Sequence, residues 1–228
     1  MKNSIENCVV LWYDFDIGNI KLPSLTDSAE ISEKRGKIMA TTEPIRSKDD
    51  LRRLADYFLE RGQHRNYVMI VLGVHTTLRI NDLLHLKWQD VYDETKCHFK
   101  TRIDLREQKT LKKKSIALNH QAIDALSLYY PRRRSEWIFV SRNGGKTPIS
   151  RQQAWRIIKE ACKLLEIDGN IACHSLRKTW GYHAWTDKSI SPVVIMDIYN
   201  HSNYDVTRRY LGVAQDDLDR AYLEMDLF

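Results

Sequence analysis

Apolar residues recur with two different periods along this chain, and the order of those periods narrows the folds open to it. From Ser47 the spacing is helical. A Ser47-x-x-Asp50 helix start opens a face of Leu51, Leu54, Ala55 and Phe58 that closes near Gly62. A second, nearly all-apolar helix is expected over 66–75, and a short third one after Arg79. The period then falls to two. Phe99, Thr101, Ile103 and Leu105 alternate as a half-buried strand does, and 115–118 offer a partner strand. The polar connection 107–114 holds four lysines and reads as the basic tip of a β-hairpin. Helical spacing then returns in Ile123, Leu126 and Tyr130 before Pro131, and in Ala154, Ile157, Ile158, Ala161 and Leu165. Further helices are expected over 174–185, after the Ser191-Pro192 pair (N-cap and first turn), around Tyr210, and along the stripe of Leu218, Ala221, Tyr222 and Met225. Asn143-Gly144-Gly145 reads as a turn. One hairpin set among helices predicts an α+β fold that is mainly α.

Residues 1–44 lack this order. Pro23, scattered charges and several Ser and Thr predict an N-terminal extension, extended or partly disordered, with a short strand near Val9 to Tyr13. The organised domain is expected over 45–228. The extension holds more Asp and Glu than Lys and Arg, so the whole of the net charge of +6 belongs to the body. A basic body points to a polyanion partner. The longest apolar run, Val68 to Val74, is too short for a membrane span. The N-terminus lacks the basic flank of a signal peptide. Cys8, Cys97, Cys162 and Cys173 show no CxxC spacing and read as reduced thiols of a cytosolic protein.

Four short segments stand out. They are Thr76-Thr-Leu-Arg79-Ile-Asn-Asp82-Leu, then Gln108-Lys109-Thr110 with Ile116-Ala-Leu118, then His174-Ser-Leu-Arg177-Lys-Thr179, and finally His201-Ser-Asn-Tyr-Asp-Val-Thr207-Arg-Arg-Tyr210. In that order they resemble the boxes of the tyrosine recombinases, the phage integrase family, over about residues 45–228. Thr77 and Asn200 stand where that family has glycine. Asn is the next-best residue for a left-handed helix end. Residues 1–44 are too short for the helical core-binding domain that usually precedes the catalytic domain.

The resemblance implies a tyrosine-recombinase fold and a site-specific DNA recombinase or integrase. It would work by transesterification through a covalent 3′-phosphotyrosine, without metal, ATP or other cofactor. Tyr210 would be the nucleophile; it outranks Tyr204, which lies too close to His201. Arg79 and Arg177 would clamp the non-bridging oxygens, since paired guanidinium bonds suit the charge that develops there. His174 would be the base that a phenol of pKa about 10 needs. Lys109, or else Lys112, would protonate the leaving oxygen, and His201 would bond the transferred phosphate. Asp82 would orient the histidine or arginine pair. DNA contacts are expected from Lys112, Lys113, Lys114, Arg132, Arg133, Arg134 and Lys178. The implied partners are double-stranded DNA and further copies of the chain, a tetramer joined through the C-terminal helix. The implied location is the cytoplasm of a prokaryotic cell, at the nucleoid. A type IB topoisomerase shares the arginines, lysine, histidine and tyrosine. A non-catalytic DNA-binding regulator would use 191–210 as helix-turn-helix.

Overall fold

The computed structural model describes residues 42–109, 111–142, 146–187, 190–211, 219 and 222–225, with backbone alone at 209 and 210. The strand near Val9, the Asn143 turn and most of the last helix therefore lie outside the described residues. Helix α1 (Lys48–Glu60) starts where the Ser47 hydroxyl accepts the Asp50 amide at 3.0 Å. It stops at Gly62, whose φ of 65° admits a residue without a Cβ. Helix α2 (His64–His75) is buried on almost every side, as its apolar run requires. Short α3 (Ile80–Leu84) and α4 (Trp88–Val91) follow.

The strand expected from Phe99 to Leu105 is two strands. β1 (Tyr92–Asp93) pairs with β2 (His98–Phe99), and β3 (Arg102–Arg106) pairs with β4 (Lys113–Ala117) in a separate ladder. The chain turns between them, where the Lys100 amide donates to the Val91 carbonyl at 2.8 Å. Helix α5 (His120–Tyr129) is capped by Asn119 and runs into a single 3-10 turn that contains Pro131. Helix α6 (Arg151–Leu164) is capped by Ser150. Helices α7 (Cys173–Thr186), α8 (Pro192–Tyr199) and α9 (Tyr204–Leu211) complete the body.

The main core packs Leu54 and Phe58 of α1 against Met69, Ile70 and Leu72 of α2, with Leu126, Ile158 and Leu176 around them. At Gly73 a Cβ would sit 2.6 Å from a Leu176 methyl, so the close crossing of α2 and α7 needs glycine there. A smaller core of Ala184, Ile195, Tyr199 and Leu211 joins α7, α8 and α9. At Gly181 a Cβ would collide with the Tyr199 hydroxyl, so α8 lies tight on α7. Thr42 and Glu43 are bonded to this body. The Thr42 carbonyl accepts Lys178 Nζ at 2.6 Å, and the Glu43 and Asn170 amides bond across to each other's residue.

Candidate active site

The end of α2 builds the first wall. Thr76 closes the helix, its hydroxyl donating to the Leu72 carbonyl at 2.6 Å. Thr77 then takes φ of 52°, a left-handed conformation in a β-branched residue that is 2% exposed. That reversal sends Leu78 into the core and leaves Arg79 in extended backbone at the start of α3. Arg79 is 24% exposed, and its Nη1 forms an ion pair with Glu107 Oε2 at 2.7 Å.

Arg177 forms the floor. It lies on α7, 2% exposed, with its guanidinium 4.7 Å from the Tyr199 ring. Nη1 donates to the Thr77 carbonyl, and Nη2 donates to the Tyr199 carbonyl at 3.0 Å. One side chain thus ties the α2 turn to the end of α8. There Asn200 takes φ of 55°, the left-handed cap expected of it. His201 follows, with Nδ1 2.9 Å from the hydroxyl of the fully buried Thr207 on α9. His174 stands on the first turn of α7, one turn before Arg177.

These groups share one electrostatic environment. Burial, then Arg177, Lys178, Arg79 and His201 push His174 down to about 4. Burial, Arg177 and Arg79 push His201 to about 4 as well. Both imidazoles are therefore neutral at neutral pH. Lys114 lies here too. Its Nζ donates to the Ile198 carbonyl at 2.9 Å and lies 3.5 Å from the Thr77 hydroxyl. Burial and Arg177 lower it to about 8, against the opposing pull of Glu107. A site where Arg79 and Arg177 lower the neighbouring imidazoles and Lys114 is suited to receive an anion.

The fold brings Arg79, His174, Arg177 and His201 together. Tyr210 stands near the end of α9, nine residues past His201 along the short Asn203–Arg209 approach, and its side chain lies outside the described residues. Lys109, Lys112 and Lys113 are exposed on or beside the hairpin connection. Asp82 Oδ1 accepts the Gln108 amide at 2.9 Å and so holds the hairpin. Lys178 is 8% exposed, and its ammonium donates to the Thr42 carbonyl at 2.6 Å. The hairpin connection is shorter than the 107–114 expected for its basic tip: Lys113 and Lys114 belong to β4, Glu107 is fully buried and Lys114 is half-buried. Alternation carried that signal. Glu107 continues the inward face of Ile103 and Leu105, and Lys114 that of Ile116 and Leu118. Arg132 caps its own helix through the Leu128 carbonyl, Arg133 stacks 3.7 Å over Tyr130, and Arg134 is exposed.

The sequence model of the phage integrase family matches residues 46–216. A probable integrase/recombinase, YoeC of Bacillus subtilis (strain 168), is 32% identical over 81% of this chain and 97% of its own length. The type 1 fimbriae regulatory protein FimB of Escherichia coli (strain K12) is 30% identical over 62% of this chain and 71% of its own. Among solved structures, XerA recombinase superposes with a TM-score of 0.65 at 19% identity, over 84% of this chain and 66% of that one. A lambda integrase dimer bound to a core site gives 0.60 at 20%, over 87% of this chain and 54% of that one. The fold, mainly helical with small antiparallel sheets, is that of these catalytic domains.

Proposed function

This chain belongs to the phage integrase family, the tyrosine recombinases, and on that premise we propose that it is a site-specific DNA recombinase that cuts and rejoins strands through Tyr210. The observation that carries the reading is the convergence of Arg79, His174, Arg177 and His201 beside the helix that bears this tyrosine. The Tyr210 oxygen attacks the scissile phosphorus while its proton passes to neutral His174. The new P–O bond to tyrosine replaces the P–O5′ bond, and the departing 5′ oxygen takes a proton from Lys109. Arg79 and Arg177 meet the charge gathering on the non-bridging oxygens, with His201 beside them. The phosphotyrosine keeps the energy of the broken bond, so a second 5′ hydroxyl reverses the step without a nucleotide.

Lys112 and Lys113, exposed beside the hairpin connection, contact the DNA backbone together with Arg132, Arg133 and Arg134. In support, a cleft of about 870 Å³ at the other end of α2 is lined by Arg61, His64, Arg65, Arg132, Arg134 and Arg142. Residues 45–228 form the catalytic domain and 1–44 an extension to it. Protomers join on DNA as a tetramer through the C-terminal helix, where Tyr222, Leu223 and Met225 are exposed. No helix of the described residues is long and apolar enough to cross a membrane; we place the protein in the cytoplasm, at the nucleoid.

The test is a covalent trap. A nicked suicide duplex drawn from the DNA flanking the coding region loses its short 5′ end on cleavage and leaves the protein attached. The parent protein should give a detergent-resistant adduct and Tyr210→Phe none. An adduct that persists in Tyr210→Phe moves the nucleophile elsewhere.

A further inference from the structure

The hairpin is fastened to the first-arginine turn, in part through Glu107, which neither box contains. Glu107 is 0% exposed, directly after β3 and on its inward face. A carboxylate there must be paired, and Arg79 Nη1 pairs it at 2.7 Å. The next residue continues the fastening. The Gln108 amide donates to Asp82 Oδ1 at 2.9 Å, and its side-chain oxygen accepts Asn81 Nδ2. Three consecutive contacts therefore join 107–108 to Arg79, Asn81 and Asp82. From the opposite strand, Lys114 reaches the Ile198 carbonyl at 2.9 Å. Lys109 is the first residue beyond these bonds, and it is exposed. One residue of extended chain spans no more than about 3.6 Å. The ammonium of Lys109 can therefore reach only what lies near Arg79.

We propose that Glu107 is a positioning residue for strand cleavage: by gripping Arg79 it fixes the base of the hairpin and so holds Lys109 within reach of the 5′ oxygen that leaves. The proposal rests on the reading of Tyr210 as nucleophile and Lys109 as proton donor. Glu107 touches no reacting atom.

A sulfur substitution separates these roles. In a nicked duplex that the parent protein cleaves, the leaving 5′ oxygen is replaced by sulfur. A thiolate leaves without needing a proton, so a defect in proton delivery disappears on that substrate. Single-turnover cleavage and DNA affinity are measured for Glu107→Gln, Glu107→Asp and Lys109→Ala on the oxygen and the sulfur duplex. Glu107→Gln should cut the oxygen duplex about 10–100-fold more slowly, with affinity within about threefold of the parent. On the sulfur duplex it should return to within about threefold of the parent rate. Glu107→Asp retains the charge and should recover part of the loss; it also carries the comparison if the glutamine variant does not fold. Cleavage of the oxygen duplex at the parent rate overturns the proposal, as does an equal loss on both duplexes, which would confine Glu107 to Arg79. If Lys109→Ala is unimpaired on oxygen, or is slowed without rescue by sulfur, the lysine reading has failed and the proposal falls with it. Tyr210→Phe, inert on both duplexes, reports separately on the nucleophile.

Discussion

Thr77 shows how much one backbone angle decides. The chain must reverse between the end of α2 and Arg79, and a left-handed residue does this. A β-branched residue with φ of 52° is strained by about 1–2 kcal/mol relative to the right-handed region. Glycine would relieve the strain and lose about 0.5–1 kcal/mol to chain entropy. Thr77→Gly should therefore change stability by about 0–1.5 kcal/mol, in the stabilising direction. Thr76 is the control. It caps α2 in ordinary helical backbone and donates to the Leu72 carbonyl, so Thr76→Gly should cost about 2 kcal/mol. Urea melts of both variants decide it; equal losses would mean that no strain resides at Thr77. Residue identity was legible where the backbone demanded something unusual, as at Thr77 and Asn200. It was not legible where a helix face decided. Lys178 adjoins Arg177 in sequence, but consecutive helical residues point about 100° apart, and Lys178 turns to Thr42.

At the scale of elements, period separated helix from strand well and resolved the hairpin poorly. Alternation through Phe99 continued past a turn that only the Lys100 amide reveals. Alternation also predicts which side of β3 and β4 faces inward, yet charge at 107 and 114 reads as solvent until both strands are laid out. Their pairing puts Leu105 opposite Lys114, so a lysine and a glutamate follow apolar neighbours into the site. The last element behaves oppositely. Its helical stripe was read from Leu218, Ala221, Tyr222 and Met225; Tyr222 and Met225 are 84% and 65% exposed, as is the adjoining Leu223 at 87%, so the chain's own core does not take up that part of the stripe. Leu223→Asp should leave the melt of the free protein within about 0.5 kcal/mol. Sedimentation of its DNA complex should fall below the tetramer expected of the parent. A complex of unchanged mass would assign assembly to another surface.

For the whole molecule, gathering cations around an anion site ties stability to pH. His174 and His201 titrate at about 4 in the fold and at about 6.5 once unfolded. Between those values the unfolded chain binds more protons, so acid favours unfolding. The contribution is complete above pH 6.5 and is lost progressively as pH falls toward 4. His174, the more deeply buried, carries most of it, about 2–3 kcal/mol across that window; His201 adds less because solvent screens it. A bound phosphate reverses the local field, raises both pKa values and draws protons into the complex. Thermal melts between pH 7 and pH 4 should show a steep loss for the free protein and a shallower one with DNA. Replacing both histidines by glutamine should flatten the free-protein curve. A slope that survives the double substitution, or one that DNA leaves unaltered, would separate acid sensitivity from the active site. The dependence would then lie in groups outside the cluster that Arg79 and Arg177 polarise.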